Sequence, residues 1–243
     1  MFDDLAKGMG FFWQGMPLIW GKRVRVFAFA PIGLTVLMFI AFVLVGADYF
    51  SDFMIWTESK TPSWLSWIDW LGWVVFGSLW TLALFFGFIA AANLVASPFN
   101  GLLAEAVEQK LRPPGPPATT WAQLVKRMPT ILIQETKKIV YFVILSIPFL
   151  LLACFFGPFG ALAWATFSAW MLTLQFVDYA MDNNGLPFRE MRRRIRKKPW
   201  IALGFGGMTL LAFATPFVNL VAMPTAVAGG TIFWNEELRT MSS

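Results

Sequence analysis

Residues 139–177 carry no charged side chain and residues 199–235 carry none, yet each stretch is interrupted near its middle, by Gly157-Pro158 in the first and Thr215-Pro216 in the second. An apolar run broken at its centre by such a signal reads as a helical hairpin rather than one long helix. Each arm comes to roughly 17 residues, or about 26 Å at a rise of about 1.5 Å per residue, against about 30 Å of hydrocarbon. Arms of that length fall just short of crossing, so the hairpins are expected to dip in and return. Irregular backbone at membrane depth is tolerated only where protein buries it or water lines it, which directs attention to the two tips.

Composition fixes the class. With 58% hydrophobic residues, 14% charged and 13 Trp among 243 residues, the chain has too little polar surface for a water-soluble globule. An all-α integral membrane protein is expected, with residues 1–243 as a single membrane domain. The chain has no histidine, and its one cysteine, Cys154, lies in an apolar arm where a thiol behaves as a small hydrophobe. A zinc site and a disulfide are therefore not expected. Without a Gly-rich phosphate loop, a Ser/His/Asp set or paired carboxylates at depth, neither a cofactor nor an enzymatic activity is expected. Asp3 and Asp4 sit where a cleavable signal would carry positive charge, so the start is not read as one.

Phe2, Leu5, Met9 and Phe12 or Trp13 recur at helical spacing, and the acidic pair suits the positive end of the helix dipole. That helix is expected to lie along the membrane surface. A basic turn, Gly21-Lys22-Arg23-Val24-Arg25, precedes an uncharged run over 26–47 that is long enough to span. The Trp-rich segment 48–69, with Trp56, Trp64 and Trp67, and the adjoining Trp70 read as an aromatic belt at the water boundary. A second crossing is expected over 70–97, interrupted at Pro98, with helix resuming after Gly101. Pro113, Pro114, Pro116 and Pro117 make a stiff turn, Thr120 is placed to cap the next helix, and Pro129 predicts a kink in it.

Between the hairpins, Phe188, Met191 and Ile195 form one line of a short helix while Arg189, Arg192, Arg193 and Arg196 form the opposite face. Between membrane segments such a helix reads as an anchor on anionic lipid rather than a nucleic-acid site. Basic residues gather before the first crossing, before the first hairpin and between the hairpins, whereas the loop between the crossings holds only Lys60. The positive-inside rule then places both termini in the cytoplasm and opens both hairpins toward it. That parity holds whether the hairpins cross or re-enter.

No ionised group lies at depth, so an ion path has to use backbone dipoles, hydroxyls, amides and water. Pro158 and Pro216 suit the first position of a helix and Thr215 suits its cap, which aims unpaired N–H groups of two buried helix starts at the interior. The alternative is a tight turn in a packed bundle. The turn at Gly21, Lys22, Arg23 and Arg25 is a second candidate, since backbone donors and guanidinium forks match a tetrahedral oxyanion; its plainer reading is a topological determinant. Polar residues expected on a path include Ser97, Asn100, Thr215 and Asn219, while Asn93, Ser146, Thr173, Gln175 and Thr225 serve a path or bonds between helices.

Three segments, Ser97-Pro-Phe-Asn-Gly-Leu-Leu-Ala-Glu-Ala-Val-Glu108, Leu186-Pro-Phe-Arg-Glu-Met-Arg192 and Asn219-Leu-Val-Ala-Met-Pro-Thr-Ala-Val-Ala-Gly-Gly230, resemble the signature stretches of the CysZ sulfate permeases, within the wider etoposide-induced-protein family. The resemblance runs in order over nearly the whole chain. It implies a bacterial inner-membrane protein with two spanning helices and two hemi-penetrating hairpins, assembled as dimers or larger homo-oligomers. It also implies passive, channel-like sulfate entry that feeds cysteine biosynthesis. The family motif is a Gly-Leu-Arg-Arg turn before the first spanning helix. Here the adjacent arginine pair is absent: counting back from Pro31 puts Arg25 on the first family arginine and Val26 on the second, with Arg23 as a displaced substitute. The partners expected are sulfate or a similar oxyanion, membrane lipids and further copies of the chain. The rival reading is a non-transporting relative that organises lipids or protein partners.

Overall fold

The computed structural model describes residues 1–60, 69–113 and 119–241. Among them the chain is helical without a strand: α1 Phe2–Leu18, α2 Val24–Lys60, α3 Asp69–Leu111, α4 Trp121–Phe155, α5 Gly157–Asn183, α6 Phe188–Arg196, α7 Pro199–Ala214 and α8 Pro216–Phe233, continued by a π turn over Trp234–Leu238. It forms two compact units, one of Phe29–Ser97 and one of Met1–Ala28 with Pro98–Ser243.

Four stretches are long and apolar enough to cross a membrane: Val24–Phe53, Met128–Phe155, Gly157–Asn183 and Pro216–Leu238. A helix is the form in which an open chain segment satisfies its own backbone in hydrocarbon, and the absence of strands fits an all-α membrane protein. In the smaller unit Leu37, Phe39, Ile40, Leu44 and Leu79 are exposed, as lipid-facing side chains are. Trp56 and Trp70 of the expected aromatic belt are exposed as well. Trp64, Trp67, Pro114, Pro116 and Pro117 lie outside the described residues.

Pro98 does not interrupt its helix as the sequence reading expects. α3 continues through Pro98 to Leu111, and α4 continues through Pro129 and Pro148. Each proline removes one backbone donor, a loss that neighbouring turns can absorb when the rest of a long helix is retained. The helices on either side of the first elbow are longer than the expected 17-residue arms, with 28 residues in Met128–Phe155 and 27 in Gly157–Asn183, so their length alone does not require this hairpin to dip in and return. In the second hairpin α7 has only 16 residues.

The elbows form where the sequence places them. Gly157 adopts φ +52°, a conformation that side chains with a Cβ rarely take, and Pro158 follows it at the start of α5. Thr215 separates α7 from α8, but its hydroxyl donates back to the Leu211 carbonyl at 2.9 Å and does not cap α8. Thr120 does cap α4: the Gln123 amide donates to its hydroxyl at 3.4 Å and the Thr120 amide donates to Gln123 Oε1 at 3.0 Å. That is the reciprocal capping box.

α1, α5, α7 and α8 make the core. Gly8, Phe11, Phe12 and Gly15 of α1 are buried against α7 and α8, followed by buried Ile19, whereas Phe2, Met9 and Trp13 of the face expected to meet the membrane surface stay exposed. Glycines let these backbones approach: a methyl at Gly8 would meet the Ile201 carbonyl, one at Gly204 the Leu5 carbonyl, and one at Gly206 the Ala169 carbonyl. In lipid, where burial of apolar surface between helices gains little, such close contact supplies the attraction. Gly206→Ala is therefore expected to abolish the folded, monodisperse species in detergent. Gly207→Ala, where a methyl meets open space, should fold and gain up to about 1 kcal/mol of helix propensity. Size-exclusion profiles and thermal unfolding of the two variants check this contrast.

Candidate functional site

α1 ends at Leu18, and its last carbonyl accepts the Gly21 amide at 3.1 Å; the Gly21 carbonyl accepts the Arg25 amide at 2.9 Å as α2 begins. Ile19 and Val24 are buried on either side of the turn, while Lys22, Arg23 and Arg25 point outward and are exposed. Two apolar anchors thus hold a short loop that carries Lys22 and Arg23, with Arg25 following in the first turn of α2. A methyl added at Gly21 would lie 3.5 Å from Lys110 Nζ, so the C-terminal end of α3 brings a further ammonium group to the turn. No ion pair to Lys22, Arg23, Arg25 or Lys110 occurs among the described residues. Four unneutralised cations, two of them planar forks, suit capture of a dianionic oxyanion.

Of the four residues expected on a path, three have described side chains. Asn100 is buried, and its Nδ2 donates to the Tyr179 hydroxyl at 3.2 Å. Thr215 and Asn219 are exposed at the second tip, with the Asn219 amide on the Thr215 carbonyl at 2.8 Å. Ser97 lies within α3, with its side chain outside the described set. Of the other polar groups, Thr173 spans two helices, donating to the Ala202 carbonyl of α7, and Ser146 bonds within α4 to Val143.

Sequence reasoning missed a polar cluster around the neck of the first hairpin. Asn183 Nδ2 donates to the Gly101 carbonyl at 2.7 Å, and Asn184 Nδ2 donates to Glu108 at 2.9 Å, fixing the turn after α5 against the last part of α3. Glu108 is fully buried beyond the expected 70–97 crossing, and burial pushes its carboxyl above the ordinary range despite the Asn184 hydrogen bond. Asn183-Asn184-Gly185 is a local turn signal; what identifies its partner is three-dimensional.

Charges at or next to the ends of each uncharged stretch also meet. Lys138 and Asp178, which flank 139–177, form an ion pair, and Lys138 reaches Glu135 at 3.0 Å as well. Lys198 pairs with Glu237 at 3.1 Å across the mouth of the second hairpin, and Glu237 takes a second ion pair from Lys7 of α1. Asp178 is 2% exposed, so leaving its charge without Lys138 is costly.

The four apolar spans and helical hairpins define a multi-pass, all-α membrane protein with a cationic turn at the head of a long helix. Residues 11–224 match the family model described as Sulfate transporter CysZ/Etoposide-induced protein 2.4. The chain is 34% identical over 241 residues to the Sulfate transporter CysZ of Pseudomonas fluorescens, covering 96% of this chain and 94% of that one. It is 35% identical to the protein of the same name from Pseudomonas aeruginosa, with 95% of each covered, and 33% identical to that from Pectobacterium atrosepticum, with 99% and 89% covered. The chain belongs to the CysZ/etoposide-induced-protein family.

Two outcomes test this geometry. Lys138→Met should destabilise the protein by about 3–5 kcal/mol and the double variant Lys138→Met/Asp178→Leu by markedly less, as measured by thermal or chemical unfolding. For Glu108 the folded carboxyl binds its proton at higher pH than the unfolded one does, so its stabilising contribution is complete below the ordinary value near 4.5 and declines as pH rises through the raised value. Glu108→Gln should remove that part of the slope of stability against pH.

Proposed function

We propose that the protein is a sulfate permease of the bacterial inner membrane, taking sulfate inward for cysteine biosynthesis. The observation that carries this reading is near-full-length similarity to proteins named sulfate transporter CysZ, joined to a turn of unpaired cations ahead of the first span. Lys22, Arg23, Arg25 and the backbone at Gly21 collect the dianion, with Lys110 as a further cation beside the turn. Arg23 and Arg25 replace the adjacent pair of the family motif; because both are exposed, one at the end of the turn and one at the start of α2, their forks can serve a single oxyanion. With no nucleotide-binding motif in the sequence, movement follows the gradient or another ion. Transport is the role proposed, and no enzymatic step is assigned.

Both termini lie in the cytoplasm in this reading, because the basic residues gather on that side of every span. Lipid covers the exposed apolar faces, and further copies of the chain complete the permeation path. In this reading both hairpins turn inside the bilayer, with the charged neck of the first, at Glu135, Lys138 and Asp178, lying outside it so that only the uncharged stretch is immersed. Phe155, Phe156, Phe159 and Leu162 at the first tip, and Phe217 and Leu220 at the second, are all more than 60% exposed and would be badly placed in water.

Radiolabelled sulfate uptake into liposomes holding the purified protein tests the proposal. Uptake well above that of empty liposomes is expected, and equal uptake would contradict it. The Arg23→Ala/Arg25→Ala variant should lose about tenfold or more of its uptake at low sulfate, because each charge-assisted contact is worth roughly 1.5–3 kcal/mol. Retention of full uptake would remove those two residues from the site.

A further inference from the structure

We infer that Arg192 forms a headgroup site for an anionic phospholipid in the wall made by α4 and α6. Met191 and Ile195 are buried and fix the apolar side of α6, which turns Arg192 toward α4. Its guanidinium carbon lies 4.6 Å from the ring centre of Tyr141 and 5.0 Å from that of Phe188, and the two rings meet edge to face at 5.6 Å. Stacking on two rings holds the fork in place without neutralising it.

The site lacks an acceptor. Arg192 Nε is shut away from solvent and has no hydrogen-bond partner, and no carboxylate pairs with Arg192 among the described residues. Glu190, the acid nearest in sequence, is taken by Arg193 at 3.6 Å and Arg194 at 3.0 Å. Arg194 in turn donates to the Leu238 and Arg239 carbonyls, where it closes the end of the chain. Arg189 and Arg196, one helical turn to either side of Arg192, are exposed and likewise unpaired among the described residues. A buried donor in an uncompensated cationic fork calls for an oxyanion.

A lipid phosphate fits better than a dissolved ion because of what adjoins the fork. Ile144 follows Tyr141 by one turn on the same side of α4 and is 60% exposed, so an acyl chain has an apolar surface to follow directly below the headgroup. The site shares no residue with the turn at Gly21 and makes no use of the sulfate reading.

The test is native mass spectrometry of the detergent-solubilised protein titrated with phosphatidylglycerol, with phosphatidylcholine as the neutral comparison. The protein should retain phosphatidylglycerol, and Arg192→Gln should lower that retention by at least about fivefold while Arg193→Gln leaves it unchanged. Arg192→Lys, which keeps the charge but loses the planar fork, is expected to be intermediate and reads the site even if the Gln variant does not fold. A large excess of sulfate should leave the bound lipid in place. Unchanged retention in Arg192→Lys and Arg192→Gln would overturn the assignment, as would displacement by sulfate, which would make this a pocket for a dissolved oxyanion.

Discussion

Lys138 and Asp178 are the nearest charges on either side of the first uncharged stretch, Lys198 and the second acid after the other stretch, Glu237, form the matching pair, and each pair closes the neck of its own hairpin. The arrangement follows from the expense of charge in hydrocarbon: ionised groups collect where the helices emerge, and those that become buried there must find each other. Pairing brings the two arms of a hairpin together at the end opposite the elbow, so the elbow can stay wholly apolar at the first tip. Glu237 also takes Lys7, which ties α1 to the mouth of the second hairpin.

That tie positions the cationic turn. α1 is held along α7 and α8 by backbone contact at Gly8, Gly15 and Gly204, and the chain leaves it through buried Ile19 into Gly21. Close contact between helices is the principal attraction available inside lipid, so the glycines and the neck pairs act together. Their joint effect is to present Lys22, Arg23 and Arg25 at one place beside Lys110, without any acidic neighbour in ion-pair range among the described residues. A permease needs binding that is strong enough to collect the ion and weak enough to release it. Exposed, hydrated cations meet that condition better than buried ones.

Local signals are legible in the sequence because their partners are a few residues away. The cap at Thr120, the break at Gly157-Pro158 and the Met191–Ile195 line of α6 belong to that group. Pro98 is a local signal that misleads: it sits inside α3, since one lost backbone bond is small against the many that a long helix retains. Long-range pairing was out of reach. Asp178 meets a lysine 40 positions earlier, Asn184 meets Glu108, and Lys110 reaches the Gly21 turn, and no spacing rule links such residues. The hydroxyl of Thr215 shows the reverse limit, for a residue type suited to capping chose the preceding carbonyl instead.

The account stands on the hairpins carrying their charge at the neck and none at the tip, with both elbows inside lipid. Nitroxide labels at positions 159, 217 and 22, each introduced as a single cysteine in a Cys154→Ala background and reconstituted into liposomes, test this directly. Collision with dissolved oxygen should dominate at 159 and 217, and collision with a water-soluble nickel chelate should dominate at 22. A chelate that reaches 159 or 217 as freely as it reaches 22 would contradict the account.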